Sequence, residues 1–410
     1  MGVEVVRVTR GRLPAEDFNH TLRIIVDYSK LNLKDNPFMA TPGNGNQVWC
    51  GMVELKHQLE QRIETSLKTS PSALIINWGH YGSGKTHAAR FFTDEANLNA
   101  LANKANAVTA PLAFYVSFPR VDRGAASNLT SMILGKFGMS GLSDMIQKTK
   151  AGMDQVDTEL FPKLLNQFCQ DSELQKIFSR LVDANQQYVD ALGRILFSNA
   201  SAGDLKELQL SRKPDSLSDQ CRIVTTVFNL LTFRSELIPP RYSTIFLWID
   251  EFEDIGSLAA REQDALAAYL RNLLDWSPRF LTILLNFTLS PIQQVKDLSI
   301  YLGNAVSSRI RQRIEFSEPN SAQIKDYIQD MLGETGVRIS TNVAAESPYH
   351  PFDSQAIDLI AGSVDPRTPR TINDVCTYFL DLAAGTDGQN EINAQFVKDH
   401  AAELGIEIKG

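Results

Sequence analysis

The residues best suited to chemistry are Gly79, His80, Tyr81, Gly82, Ser83, Gly84, Lys85 and Thr86, whose order is that of a G-x-x-x-x-G-K-[ST] loop. Glycines let successive backbone N–H groups curl around an anion, and a helix starting where the loop ends turns its positive pole to the same point. A lysine there reaches the β- and γ-phosphates of a nucleotide, and the threonine hydroxyl suits Mg2+. A second site lies far along the chain, where the apolar run 245–249 ends in Asp250 and Glu251. The first carboxylate suits the metal, and the second suits a base that orients and deprotonates a water beside the terminal phosphate. ATP and Mg2+ are therefore the expected cofactors, with Thr86 and Asp250 on the metal. The expected reaction is hydrolysis of ATP to ADP and phosphate. Glu253 and Asp254 read more simply as acids at the start of a helix. His80 and His87 flank the lysine and can touch nucleotide or a partner, while no histidine has metal-ligand spacing.

These groups need a scaffold. Short apolar runs at 73–77, 113–118, 244–249 and 281–287, with a weaker one at 311–316, read as buried strands. Helical patterns lie between them, so the class is α/β with a parallel five-stranded sheet. Met52, Leu55, Leu59, Ile63 and Leu67 predict a helix ahead of the first strand. The loop 79–86 sits between a strand and the helix pattern at 87–92, the context its chemistry requires. About 125 residues separate the second and third strands, where a crossover needs little more than a dozen. A long helical insertion over about 124–240, projecting with a core of its own, is expected there. Three units follow: a lead segment 1–48, a nucleotide-binding core 49–316 and an all-α unit 317–410.

Composition narrows the remaining classes. The chain has 410 residues, with 40 Lys plus Arg against 48 Asp plus Glu, a net charge of −8. An overall coat of nucleic-acid-binding charge is excluded, a local basic patch is not. Four widely spaced cysteines argue against a disulfide scaffold or zinc ribbon and fit a reducing cytoplasm. No apolar run nears the ~20 residues that span a bilayer, and the N-terminus lacks a signal-peptide core. A cytoplasmic protein without a membrane partner is expected.

With both motifs in place, the chain resembles AAA+ P-loop ATPases over about residues 36–384. It is similar to the origin-initiator-like branch and to ATPases of prokaryotic conflict systems of the BREX phage-defence type. The resemblance implies an AAA+ core with a small helical lid, and it implies further site residues. Leu281-Thr-Ile-Leu-Leu-Asn286-Phe-Thr288 resembles a sensor-1 strand, with Asn286 first and Thr288 second to meet the γ-phosphate or the attacking water, or else to cap the strand end. Ser307-Ser-Arg309-Ile-Arg311-Gln-Arg313 resembles the arginine-finger segment. Arg309 is the first choice there and Arg311 the reserve, though alternate arginines also describe one solvated strand face. Arg370 resembles the sensor-2 arginine, with Arg367 the alternative, and Asn36-Pro-Phe38 resembles the stretch that packs near adenine. Arg120 and Arg123 follow the second strand and face nucleotide, nucleic acid or a neighbour, or else pair with a nearby acid. About 25 residues follow the lid helix, too few for the winged-helix domain of an origin initiator, and the insertion is larger than that branch carries.

The implied role is a homo-oligomeric switch or motor subunit. Its implied partners are the proteins of a defence or DNA-processing complex, with DNA among the candidates. Two alternatives stand beside it: a transposition-type regulator polymerising on DNA in the ATP state, and an ATP-binding signalling scaffold with little turnover.

Overall fold

The computed structural model describes residues 26–38, 48–121, 123–183, 186–197, 200–289, 298–340 and 347–405. All five apolar runs form strands: β1 (Ala73–Gly79), β2 (Leu112–Ser117), β3 (Ile245–Asp250), β4 (Leu281–Thr288) and β5 (Ile310–Phe316). They pair in parallel in the order β2-β3-β4-β1-β5. β3 is buried at every position, which is why its sequence is an unbroken apolar run. β5 is an edge strand that alternates exposed and buried residues, and its sequence signal is weaker for that reason. Register sets Asn77 of β1 beside Asn286 of β4, and Ser117 of β2 beside Asp250 of β3. The candidate chemistry therefore leaves the sheet along one edge, at the carboxyl ends of its strands.

Helices α1 (Val53–Lys68), α2 (Lys85–Thr93) and α3 (Glu95–Lys104) cover one face. Leu59, Ala88, Phe92 and Leu98 meet Ile75, Phe246, Trp248 and Leu284 there. The other face carries the long interval between β2 and β3, which is helical throughout its described elements. These are α4 (Ala125–Phe137), α5 (Met139–Asp154), α6 (Leu160–Cys169), α7 (Ser172–Val182), α8 (Gln186–Leu196), α9 (Ala202–Glu207) and α10 (Leu217–Thr232). Two more helices, α11 (Ala260–Trp276) and α12 (Leu298–Ser307), complete that side.

The insertion differs from expectation in one respect: it has no separate core. Leu142, Phe161, Phe178 and Leu192 belong to the same buried cluster as Leu74, Phe114, Leu247 and Ile283 of the sheet. The link is α10, where twelve of sixteen residues are buried. A helix apolar on all sides is an interior helix, so the insertion thickens the core instead of projecting from it.

Among the described residues, four helices form the C-terminal unit: α13 (Ser321–Gly333), α14 (Ser354–Ser363), α15 (Pro369–Gly385) and α16 (Ala394–His400). Its core also contains Tyr28, Leu31, Leu33, Phe38 and Cys50. Leu33 bridges Arg338, the Thr377 hydroxyl donates to the Phe38 carbonyl at 3.0 Å, and Tyr28 donates to Asp381. The described part of the lead segment is thus packed into the helical lid. No described helix is long and apolar enough to cross a membrane.

Candidate functional site

The loop after β1 curls because Gly82 and Gly84 adopt φ of +79° and +94°, a region that side chains disfavour. Gly84 is the N-cap of α2 and offers no side-chain cap, so the helix's first N–H groups remain open toward the loop. Lys85 is buried, and its ammonium donates to the carbonyls of Gly79 (3.0 Å) and His80 (2.8 Å) and to the Ser83 hydroxyl (3.2 Å). Burial pushes it down to about 8, against the opposing pull of Glu253 and Asp250.

Asp250 ends β3 and is also buried. Both of its oxygens are engaged. Tyr115 of β2 donates to Oδ2 at 2.8 Å, and Asn286 of β4 donates to Oδ1 at 3.0 Å. The same Asn286 amide donates to the Lys85 carbonyl at 3.0 Å, and its own oxygen accepts from Asn77 of β1 at 2.9 Å. Three strands therefore meet at one carboxylate, and Asn286 links it on to β1 and α2. Asn286 is wholly buried behind Asp250, whereas Thr288, the other sensor-1 candidate, lines the open cavity. Asn77 and Tyr115 escaped the sequence reading. Their partners are 209 and 135 residues away, and only strand register brings them together.

Glu251 follows with a positive φ of +57°, so the chain turns sharply and aims its carboxylate away from β3. Burial raises its proton affinity, while Arg120 opposes that rise. Arg120 bridges Glu251 at 3.1 Å and Asp254 at 2.7 Å, which settles its partners as nearby acids. Glu253 accepts the Thr288 backbone N–H at 3.0 Å and so ties the end of β4 to the turn after β3.

These groups share a cavity of about 750 Å³, lined by the loop residues Tyr81 to His87, by Asp250 and Glu251, and by the lid. Asn36 and Pro37 line it too, beside Trp49. Trp49 packs with His87 and Phe91, and burial lowers the proton affinity of His87. His80 is exposed and lies outside the lining.

From the lid, Arg370 at the start of α15 reaches the loop. Its backbone N–H donates to the Gly82 carbonyl at 3.3 Å, and its guanidinium lies 4.3 Å from the Tyr81 ring centre. A side chain at Gly82 would meet Arg370 Cβ and Thr368 Oγ1 at 2.9 Å. Arg367 is half-buried and does not line the cavity. Arg309 lies elsewhere, locked in a two-pronged ion pair with Asp275 of α11 at 2.8–2.9 Å. Arg311 and Arg313 are exposed on β5.

The residues present fit Mg2+. One buried carboxylate and one hydroxyl, Asp250 and Thr86, border the cavity, and no group of three or more acidic, His or Cys ligands occurs among the described residues. Mg2+ takes few protein ligands and completes its shell with phosphates and water.

No protein-family model and no curated protein matches the sequence. Among solved structures, the chain is similar to the ORC2 protein of Aeropyrum pernix in its ADPNP–ADP complexes. The identity is 14% and the TM-score 0.49, over 90% of this chain and 72% of that one. It is also similar to the Aeropyrum pernix ORC1 protein in complex with DNA, at 13% identity and a TM-score of 0.46, over 90% and 69%. A Walker-type ATPase of Pyrococcus abyssi matches at 14% identity and a TM-score of 0.38, over 90% and 77%.

Proposed function

We propose that this chain is a Mg2+-dependent ATPase of the AAA+ type that couples nucleotide state to the position of its helical lid. One observation carries the reading: Lys85, Thr86, Asp250 and Glu251, from two segments far apart in sequence, border one cavity that Arg370 of the lid overhangs. Lys85 and the first N–H groups of α2 would bind the phosphates, with Thr86 and Asp250 holding the metal. Mg2+ would offset phosphate charge as it develops. Glu251 would take the proton of the attacking water. Arg370 would leave the Tyr81 ring for the γ-phosphate and carry the lid with it.

In this reading the chain acts as a homo-oligomeric switch or motor subunit of a defence or DNA-processing complex, with the exposed Arg311 as the residue offered to a neighbour's nucleotide. One observation favours a slower second role, the ATP-binding scaffold. The base, Glu251, is held by Arg120, so turnover would wait on release of that pair.

Calorimetry and steady-state turnover test the proposal together. Lys85→Ala should abolish ATP binding, and Glu251→Gln should bind ATP but not hydrolyse it. ATP affinity within a few-fold of the parent in Lys85→Ala would overturn the site. Arg120→Ala should speed turnover if the scaffold reading holds.

A further inference from the structure

The opposite edge of the sheet carries charge of the other sign. The amino ends of the five strands lie there, and a basic residue enters at the foot of each. In sheet order these are Lys104 before β2, Arg234 and Arg241 before β3, Arg279 before β4, Lys68 before β1 and Arg309 before β5. Neighbouring strands are ~4.8 Å apart, so this edge of the sheet is roughly 20 Å wide. The loops that carry these residues are joined to one another. Phe280 N–H donates to the Ser70 carbonyl at 2.7 Å, Pro71 bridges Arg279, and Ser243 N–H donates to the Ala110 carbonyl at 3.1 Å.

Acids neutralise only part of this charge. Glu64 takes Lys104 at 2.6 Å and Lys68 at 3.7 Å, and Asp275 takes Arg309. Glu236 is exposed in the loop before β3. Arg234 is half-buried, stacks 3.6 Å from the Phe280 ring centre, donates to the Ser243 carbonyl at 2.5 Å and pairs with no carboxylate among the described residues. Arg241 and Arg279 are exposed and likewise pair with no described carboxylate. In a chain of net charge −8, whose carboxyl edge presents Glu251, Glu253 and Asp254, this basic edge is a local reversal of sign.

We propose that the amino-terminal edge of the sheet binds the phosphodiester backbone of a nucleic acid, with Arg234, Arg241 and Arg279 as its principal contacts. Several cations along one sheet edge suit a ligand whose charges recur along a line, and guanidinium forks suit phosphate oxygens. An acidic protein surface has no such recurrence. The site is remote from the ATP cavity and stands independently of the ATPase reading.

Fluorescence anisotropy of the full chain with a labelled 30-base-pair duplex, and with a single strand of equal length, tests it across a potassium chloride series. Binding of either should weaken with salt, with a log–log slope of about −3 for three phosphate contacts. Arg241→Ala/Arg279→Ala should weaken binding at least tenfold and reduce the slope by about 2. Its affinity for a fluorescent ATP analogue should be unchanged, which reports an intact fold. Glu236→Lys should tighten nucleic-acid binding. Absence of binding by the parent chain at 50 mM salt would overturn the proposal. So would a double variant with parental affinity and slope, or competition by polyglutamate as effective as that by unlabelled DNA.

Discussion

At the scale of single residues, Asp250, the carboxylate proposed to hold the metal, is fixed on both sides. Tyr115 and Asn286 each donate to one oxygen of Asp250, and Asn77 fixes which way the Asn286 amide faces. A hydrogen bond to a charged group contributes about 1.5–3 kcal/mol, so losing one should be felt in the metal, not in the phosphates. Tyr115→Phe is expected to raise the Mg2+ concentration needed for half-maximal turnover about tenfold. Metal-free nucleotide binding should stay within a few-fold of the parent. An unchanged Mg2+ requirement would mean Asp250 is held well enough by Asn286 alone. Lys85 supplies a second expectation. Burial lowers it from its ordinary 10.5 to about 8, so between those values the unfolded chain holds the proton and the folded chain does not. Its burial therefore costs stability below pH 8, and that cost fades as pH rises toward 10.5. Bound phosphates restore the charged form, so ATP binding at pH 8.5 should take up a proton and weaken as pH rises further. Calorimetry in two buffers of different ionisation enthalpy measures this directly, and zero uptake at pH 8.5 would refute it.

At the scale of elements, legibility followed the range of the interaction. The five strands, the helix after the loop and the paired acids were readable because burial and loop geometry leave local marks on the sequence. The relation of the insertion to the sheet was not readable. Apolar residues at helical spacing look the same whether they face a private core or a shared one, and only the burial of α10 on almost every side decides between the two. The lead segment was opaque for a similar reason. Tyr28, Leu31, Leu33 and Phe38 pack against residues more than three hundred positions later, and nothing near them in sequence says so. Asn286 was assigned to the phosphate by resemblance, yet its side chain holds Asp250 instead. The insertion carries the element-scale prediction. Replacing residues 124–235 with a short linker would strip Phe114, Val116, Leu247 and Ile249 of their cover. At about 25 cal/mol per Å² of apolar surface, that loss exceeds the few kcal/mol by which a domain is stable. The shortened chain should be insoluble or unfolded by circular dichroism. A soluble, ATP-binding product would show that the insertion is an appended domain after all.

At the scale of the whole molecule, the sheet has two chemically different edges, and the lid is fastened to the one that holds the nucleotide cavity. Residues 26–38 belong to the lid core, while Asn36 and Pro37 also line the cavity. A nucleotide in that cavity would touch both the segment 36–37 and the start of α15, so a change there could be passed to the lid without a long relay. Assembly would add a third party. Arg309 is engaged within its own chain by Asp275, and an exposed pair of this kind contributes roughly 0–1 kcal/mol. Arg309→Ala should therefore lower thermal stability slightly and leave catalysis nearly intact. Arg311 projects from the edge strand β5 with nothing of its own chain against its charge among the described residues, which is why it is the residue proposed to face a neighbour's nucleotide. Turnover per chain should rise with protein concentration over the range in which oligomers form. Arg311→Ala chains mixed with parent chains should depress the rate more than simple dilution does, because each variant subunit silences the site it faces. A rate per chain that stays flat through oligomer formation, or poisoning by Arg309→Ala and not by Arg311→Ala, would move the shared catalytic arginine elsewhere.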